Sequence, residues 1–292
     1  MIERFAAPLP HGITLSCRAA GPRNAPLMLF LHGFPEAAFV WDDLLLHFGR
    51  HHRCVAPNLR GFADSSAPSE VQAYRARHLV ADLQALLAHL GVSSAVVVAH
   101  DWGGAVAWGL AAGFPALVDR LVIINSPHPA TFLRELRDNP NQQAASAYMN
   151  FLCRPDAEEL LAANDFARLW PFFTRMGGDA WLTGSLRARY REVWQQGLTG
   201  GCNYYRASPL RPPEASDASL QQLQLPASAV QVDVPTRVIW GERDTALLPG
   251  LLDGLAEHVP HVRIARVHDA SHWLVHEQPQ RVIEEIELAL AG

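Results

Sequence analysis

The stretch Ala95-Val96-Val97-Val98-Ala99-His100-Asp101-Trp102-Gly103-Gly104 decides the fold, and it runs on into a further apolar segment. It consists of a β-branched run, a tight turn and the start of a helix-forming run. A sharp strand-to-helix turn is crowded and strained, so it needs small neighbours such as Ala99, Gly103 and Gly104. Such a turn lifts the side chain of Asp101 clear of the sheet.

The residue at the tip of this turn indicates a particular reaction. A serine there would suggest ester or amide substrates, whereas the carboxylate of Asp101 suggests attack on a saturated carbon. That attack forms an alkyl–enzyme ester, which water then hydrolyses. The alternative interpretation is that Asp101 only caps the following helix, because aspartate is frequent at helix N-termini.

Apolar strand patterns alternate with helical patterns on both sides of this turn. Continuous apolar strands in such an alternation predict an α/β protein with a mostly parallel sheet covered by helices on both faces. The predicted strands are 26–31, 53–56, 96–99, 120–124, 236–240 and 262–267, and the predicted helices of the core are 41–48, 78–90 and 281–291.

The pattern changes after residues 126–129, because no strand signal follows between Ala130 and Tyr205. Helix-like pieces over 142–152, 157–163 and 180–196 and a Pro/Ser/Gln-rich stretch over 208–228 occupy this part of the chain. We therefore expect a core in two parts, with a helical cap inserted between them. The expected bounds are 1–129 for the first part of the core, 130–225 for the cap with its return linker, and 226–292 for the second part.

Composition narrows the classes of partner. The 292 residues are 49% hydrophobic, and the net charge of −5 comes without a basic block, which argues against nucleic acid and anionic membranes. Four scattered cysteines form no CxxC pair, which is typical of a reducing cytoplasm. The N-terminus does not read as a secretory signal, and no apolar run approaches the roughly 20 residues that span a bilayer. The fourteen histidines form no HExxH motif, so we expect neither a metal site nor a cofactor.

Five motifs occur in order along the chain, each at the end of a predicted strand. They are His32-Gly33-Phe34-Pro35-Glu36, the run from Ala56 to Ser65, His100-Asp101-Trp102-Gly103-Gly104, Trp240-Gly241-Glu242-Arg243-Asp244, and Ser271-His272-Trp273. Together they resemble the epoxide hydrolases of the α/β-hydrolase fold, firmly over the core and more loosely over the cap. The resemblance implies a cofactor-independent, cytoplasmic enzyme that opens a small apolar epoxide to a vicinal diol with water. It leaves monomer and homodimer both open.

The resemblance also assigns a triad. It implies that Asp101 is the nucleophile, His272 the general base and Asp244 the acid that stabilises the charged base. His268 is a rival for the role of base, and the Ser-His-Trp pattern favours His272. Some relatives place the acid one strand earlier, but that position holds Asn125, so Asp244 has no competitor.

The resemblance assigns hydrogen-bond donors as well. The backbone N–H groups of Phe34 and Trp102 are expected to form an oxyanion hole, with Pro35 in the cis form. Opening an epoxide produces an alkoxide, and the family uses cap tyrosines to donate to that oxygen. Tyr205 is the expected donor, and Tyr148 is the candidate for the second.

Two alternatives accompany this hypothesis. Haloalkane and haloacetate dehalogenases share the aspartate nucleophile, and Trp102 would then hold the halide together with one of Trp170, Trp181 and Trp194. The other alternative is a catalytically silent hydrolase fold that binds a ligand, although such a fold usually lacks part of the triad.

Aromatic residues of the cap indicate an apolar pocket between cap and core. We expect it to be lined by residues such as Phe151, Trp170, Phe172 and Phe173.

Overall fold

One eight-stranded sheet forms the centre of the computed structural model, which describes residues 1–213 and 219–292. The strand order is β1-β2-β4-β3-β5-β6-β7-β8. The strands are β1 Glu3–Pro8, β2 Thr14–Ala20, β3 Leu27–Leu31, β4 Arg53–Pro57, β5 Ala95–His100, β6 Val118–Ile124, β7 Thr236–Gly241 and β8 Val262–Val267. Strand β2 pairs antiparallel with β1 and β4, and the remaining pairs are parallel. The predicted mostly parallel sheet is confirmed.

Helices cover both faces of the sheet. The helices of the core are α1 Asp42–Phe48, α2 Ala76–His89, α3 Trp102–Gly113, α13 Leu274–Glu277 and α14 Pro279–Ala291. Helices α1 and α14 pack with Phe30 on one face, while α2 and α3 pack with Leu29 and Leu31 on the other. Successive residues of a strand point to opposite faces, so both faces need apolar side chains. Strands β3, β4 and β5 are accordingly buried at every position.

A helical insert, residues 129–230, separates β6 from β7 in the sequence. Its helices are α4 Pro129–Asp138, α5 Pro140–Ala145, α6 Tyr148–Leu152, α7 Ala157–Phe166, α8 Trp170–Thr174, α9 Gly184–Trp194, α10 Thr199–Ala207, α11 Ser219–Gln222 and α12 Ala227–Val230. The part of this insert that the structure describes contains no strand.

Some predicted boundaries within the insert are wrong. The helix expected over 142–152 is divided into α5 and α6, and at the end of α5 the side chain of Gln142 bonds to Ser146 and to the carbonyl of Ala246. The helix expected over 180–196 begins only at Gly184, because the hydroxyl of Thr183 accepts a capping bond from the backbone there. The linker expected over 208–228 includes α11 and part of α12, and its residues 214–218 lie outside the described part of the chain.

Strands β1 and β2 were not predicted from the sequence. Strand β1 lies at the sheet edge and alternates between partly buried and exposed positions, without the apolar run that identifies β3 or β5. Its pairing with β2 supplies the order that its residue types do not encode.

The carboxyl ends of β3, β5, β7 and β8 meet at one edge of the sheet, where parallel α/β sheets commonly carry their sites. Within the described residues, no helix is long and apolar enough to cross a membrane.

Candidate active site

Asp101 occupies a strained turn between β5 and α3. Its backbone has φ 50° and ψ −122°, a combination that residues with a side chain rarely adopt. A Cβ atom on Gly103 would lie 2.4 Å from the carbonyl oxygen of Leu31, and one on Gly104 would lie 2.4 Å from the Cβ of Ser126. Glycine is therefore required at both positions. The carboxylate forms no capping bond with α3, which argues against a role as a simple helix cap.

The two oxygens of the Asp101 carboxylate have different surroundings. Oδ1 accepts a hydrogen bond of 2.8 Å from the backbone N–H of Phe34, which follows β3. The peptide bond from Phe34 to Pro35 is cis, as predicted. Oδ2 lies 3.7 Å from Nε2 of His272. Trp102, the other expected donor, is the first residue of α3 and follows Asp101 directly.

His272 lies between this carboxylate and that of Asp244. Its Nδ1 donates to Oδ2 of Asp244 over 2.7 Å, and both side chains are buried. Asp244 follows β7 and His272 follows β8, so adjacent strands place them together. The backbone N–H groups of Ala246 and Leu247 donate to Oδ1 of Asp244, at 2.8 and 2.9 Å.

Asn125 is the fourth side chain in this network, and the sequence had indicated only that it is not a carboxylate. Its Nδ2 donates to Oδ2 of Asp244 over 2.9 Å, and its Oδ1 accepts from the backbone N–H of Gly241 over 2.8 Å. The amide therefore holds both the carboxylate and the turn that carries it. Satisfying a buried carboxylate in this way avoids the cost of leaving its lone pairs unpaired.

The charges of this network shift the pKa values of its members. Burial alone would lower the pKa of His272, but the carboxylates of Asp244 and Asp101 outweigh it and raise the pKa from 6.5 to about 9. Burial would raise the pKa of Asp244, but the neighbouring imidazole and the bonds that Asp244 accepts lower it below its usual value. Imidazolium and carboxylate therefore stabilise each other.

His268, the rival candidate, lies elsewhere. Its side chain is 82% exposed, and its Nδ1 contacts Glu242 at the surface. Among the two histidines that the sequence offered, the structure brings only His272 next to Asp101.

Tyr148 and Tyr205 come together above the carboxylate. Their ring centroids are 6.0 Å apart, and the ring of Tyr205 also packs edge-on against Phe34 and Trp102. Burial raises the pKa of both phenols above the usual value for tyrosine, and the nearby charge of Asp101 adds to the shift. Both side chains therefore keep their protons over the physiological pH range.

Tyr204, the residue before Tyr205, does not line the cavity of the site. The hydroxyl of Tyr204 donates to the backbone carbonyl of Arg60 over 3.1 Å, and its ring packs against Phe62 and Tyr74.

A cavity of about 560 Å³ lies between the helical insert and the edge of the sheet. This volume is typical of sites for small organic molecules. The lining residues come from the sheet edge, from α5, α6, α8 and α10, and from the residues that flank α8. They are Phe34, Asp101, Ala144, Ala145, Tyr148, Phe151, Ala167, Arg168, Pro171, Phe172, Arg175, Met176, Tyr205, Thr245, Ala246, His272 and Trp273.

The expected apolar lining is only partly correct. Phe151 and Phe172 line the cavity, but Phe173 and Trp170 do not. The ring of Phe173 is fully buried against Trp273, and Trp170 packs on Trp194 within the insert.

A buried ionic cluster behind the triad was not predicted. Oε1 of Glu36 accepts a bond of 2.7 Å from the hydroxyl of Tyr190 and contacts Nε2 of His276 at 2.6 Å. Its Oε2 lies 3.4 Å from Nδ1 of His100, whose Nε2 contacts the backbone carbonyl of His272 at 2.9 Å. Burial opposes the charge of Glu36, but His276 and His100 hold its pKa well below the usual carboxyl range. Glu36 belongs to one of the five sequence motifs, but the motif does not indicate its partners, because they are distant in the sequence.

The chain is similar to known proteins over almost its whole length. A model of the alpha/beta hydrolase fold family matches residues 26–279. The AB hydrolase superfamily protein YfhM of Bacillus subtilis (strain 168) is 34% identical over 273 residues, 92% of this chain and 91% of that protein. Epoxide hydrolase 4 of Mus musculus is 33% identical over 280 residues, 93% of this chain and 74% of the mouse protein.

The fold is also similar to that of a solved structure. The crystal structure of an epoxide hydrolase from Bacillus megaterium with an inhibitor superimposes with a TM-score of 0.91 at 32% identity, over 99% of this chain and 100% of that one. The chain therefore belongs to the α/β-hydrolase fold family, as a relative of its epoxide hydrolases.

Proposed function

We propose that this protein hydrolyses epoxides to vicinal diols through a covalent ester on Asp101, in a site covered by the helical insert acting as a cap. The observation that carries the proposal is that two phenols, Tyr205 and Tyr148, line the same cavity as Asp101 and His272. A carboxylate supplies the nucleophile, and neutral phenols supply the donors that an opening epoxide requires.

In the first step, Oδ2 of Asp101 attacks an epoxide carbon. The new C–O ester bond forms as the C–O bond of the epoxide breaks, and the electron pair of the broken bond goes to the epoxide oxygen. Tyr205 and Tyr148 donate hydrogen bonds to this oxygen, and the phenolic proton of Tyr205 passes to it to give a hydroxyl group. The Tyr205 phenolate then regains a proton from solvent. Oδ1, held by the Phe34 amide, becomes the carbonyl oxygen of the ester.

Ester formation also prepares the base. Asp101 is one of the charges that raise the pKa of His272, and the ester is neutral. The pKa of His272 therefore falls after the first step, which favours the neutral imidazole that a general base requires.

In the second step, His272 takes a proton from water, and the oxygen of that water adds to the ester carbon. Negative charge develops on Oδ1, towards which the Phe34 and Trp102 amides would donate. The intermediate then expels the diol oxygen, which takes up the proton held by His272, and the carboxyl group of Asp101 releases the remaining proton of that water to solvent. Asp244 keeps the imidazole oriented and offsets its positive charge throughout.

The dehalogenase alternative requires a second tryptophan N–H group, besides that of Trp102, to hold the halide. The indole N–H of Trp170 donates to the carbonyl of Asp165, and that of Trp194 donates to the carbonyl of Pro35. Trp181 stacks on His276, and none of these three tryptophans lines the cavity as described.

A substrate panel tests the proposal against both alternatives. Purified protein is incubated with terminal, internal and aryl epoxides, and in parallel with short haloalkanes and haloacetates. We expect diol formation from epoxides without halide release from the second group. Halide release alone would indicate a dehalogenase, and no turnover in either group would indicate a silent ligand-binding protein.

A further inference from the structure

Two arginines line the cavity in addition to the groups used in the proposed reaction. Arg168 precedes α8 and Arg175 directly follows it, so they flank the helix that contributes Pro171 and Phe172 to the cavity wall. Both arginines are exposed, whereas His272 at the other end of the cavity is buried. They therefore lie on the solvent side of the cavity, at its mouth.

Neither arginine is neutralised within the described residues. Arg168 and Arg175 form no ion pair there, and the guanidinium of Arg168 lies 5.8 Å from the ring centroid of Phe151. The carboxylate of Asp156, whose charge interacts with Arg168, is held by Arg154 through two bonds of 2.7 Å. Most other arginines of the insert, by contrast, are paired with acids.

The charges in the cavity are therefore divided between its two ends. Asp101 and His272 lie at the inner end, and the remaining charged lining residues, Arg168 and Arg175, are both positive. This is not a consequence of a generally basic surface, because the chain carries a net charge of −5. The wall between the two ends is mostly apolar.

We infer that Arg168 and Arg175 bind the carboxylate of an amphipathic substrate, an epoxide joined to an acid group by an apolar chain. This inference rests on the proposed function for the identity of the reacting group. Guanidinium groups bind carboxylates with charge-assisted hydrogen bonds. Repulsion from Asp101 and attraction to the arginines would both direct the acid group to the mouth, which places the epoxide at the nucleophile.

The test compares an acid with its neutral counterpart. The probes are the terminal epoxide of undecenoic acid and its methyl ester, measured with the wild type, Arg168→Met, Arg175→Met and the double variant. Methionine keeps the apolar stem and removes the charge. Arg77→Met is the matched control, because Arg77 is an exposed arginine on α2 that does not line the cavity.

We expect each single substitution to raise KM for the acid about threefold, and the double substitution about tenfold, as for partly exposed ion pairs. The KM for the ester should change by less than about twofold. Added salt should raise KM for the acid with the wild type and much less with the double variant. Equal responses to the acid and the ester, or an effect of Arg77→Met as large as that of the cavity variants, would overturn the inference.

Binding of the products separates this inference from the proposed function. The Kd values of the diol acid and the diol methyl ester are measured by calorimetry, so they require no turnover. Tighter binding of the diol acid that is lost in the double variant supports the arginine site even if no epoxide is opened. Equal Kd values would remove the arginine site and leave the proposed reaction standing.

Discussion

Nδ1 of His272 lies 2.7 Å from Asp244, and Nε2 of the same ring lies 3.7 Å from Asp101. One buried imidazole thus stands between two carboxylates, at hydrogen-bond distance from one and too far from the other. The longer separation leaves the Asp101 carboxylate unengaged by the ring on that side. It also leaves Nε2 without a hydrogen bond to Asp101, so that this atom can bond to water once the ester has formed.

Asp101→Asn should lower kcat at least about 10⁴-fold while leaving the fold intact. Asparagine tolerates a positive φ better than most residues, so the strained turn should persist. Unchanged far-ultraviolet circular dichroism checks the fold.

The isotope experiment tests the same assignment in the wild type. In a single turnover in heavy-oxygen water, the diol should contain no heavy oxygen, which should appear in the Asp101 carboxylate. Diol labelled in the first turnover would mean direct attack by water and would exclude Asp101 as the nucleophile.

His272→Gln should stop the second step and spare most of the first. Attack on the epoxide needs no base, but hydrolysis of the ester does. We expect an adduct of the epoxide on Asp101 to accumulate, visible in the intact mass. His268→Gln is the matched control and should turn over normally, because His268 lies at the surface. Normal turnover by His272→Gln would end the assignment.

Tyr205→Phe should slow ester formation about ten- to a thousand-fold, and Tyr148→Phe should act in the same direction. Hydrolysis of the ester already formed should be almost unchanged, because that step uses His272 and the backbone amides. Rapid-mixing kinetics separates the two rates. Tyr204→Phe is the control, since its hydroxyl bonds to the Arg60 carbonyl and not to the cavity. Ester formation at the wild-type rate in Tyr205→Phe would contradict this role.

The charge pair of His272 and Asp244 should make stability depend on pH. The pKa of His272 rises from 6.5 to about 9 on folding, so its contribution is complete below pH 6.5 and is lost as the pH rises through 9. That shift corresponds to about 3 kcal/mol. Denaturant unfolding of the wild type and His272→Gln should give a difference in unfolding free energy that shrinks by about this amount between these pH values. A constant difference would contradict the shift.

The bond from Tyr190 to Glu36 should contribute more to stability than the bond from Tyr204 to the Arg60 carbonyl. Both join the helical insert to the core, but only Tyr190 donates to a carboxylate. Charge-assisted bonds are roughly twice as strong as neutral ones. We expect Tyr190→Phe to cost about 2 kcal/mol of unfolding free energy and Tyr204→Phe about 1 kcal/mol. Equal losses would mean that the charge of the acceptor adds nothing to the strength of the bond.

The sequence predicted the features that depend on neighbouring residues. The run 95–104 predicts a strand, a strained turn and a helix, because the small residues that the turn requires lie next to Asp101. Buried parallel strands such as β5 also carry their own apolar signal. The assigned roles of Asp101, His272, Asp244, Tyr205 and Tyr148 stay predictions that the experiments above test.

Features that depend on distant residues were missed. Glu36, Tyr190 and His276 come from three separate segments, and nothing local in any of them indicates the other two. Edge strand β1 was missed for the same reason, since its order comes from pairing with β2. The side chain of Gln142, in the predicted helix that is divided at Ser146, bonds to the carbonyl of Ala246, in the loop after β7.

Strands β6 and β7 are hydrogen-bonded neighbours although the whole helical insert is synthesised between them. As the chain leaves the ribosome, the strand that carries Asp101 emerges long before those that carry Asp244 and His272. Until β7 is synthesised, the backbone N–H and C=O groups on one edge of β6 have no partner. Unpaired strand edges promote association between chains. The edge of β6 must therefore be shielded in the nascent chain until β7 is made and the sheet can close. Truncation after the insert should yield an aggregating fragment, whereas the complete chain can bury that edge.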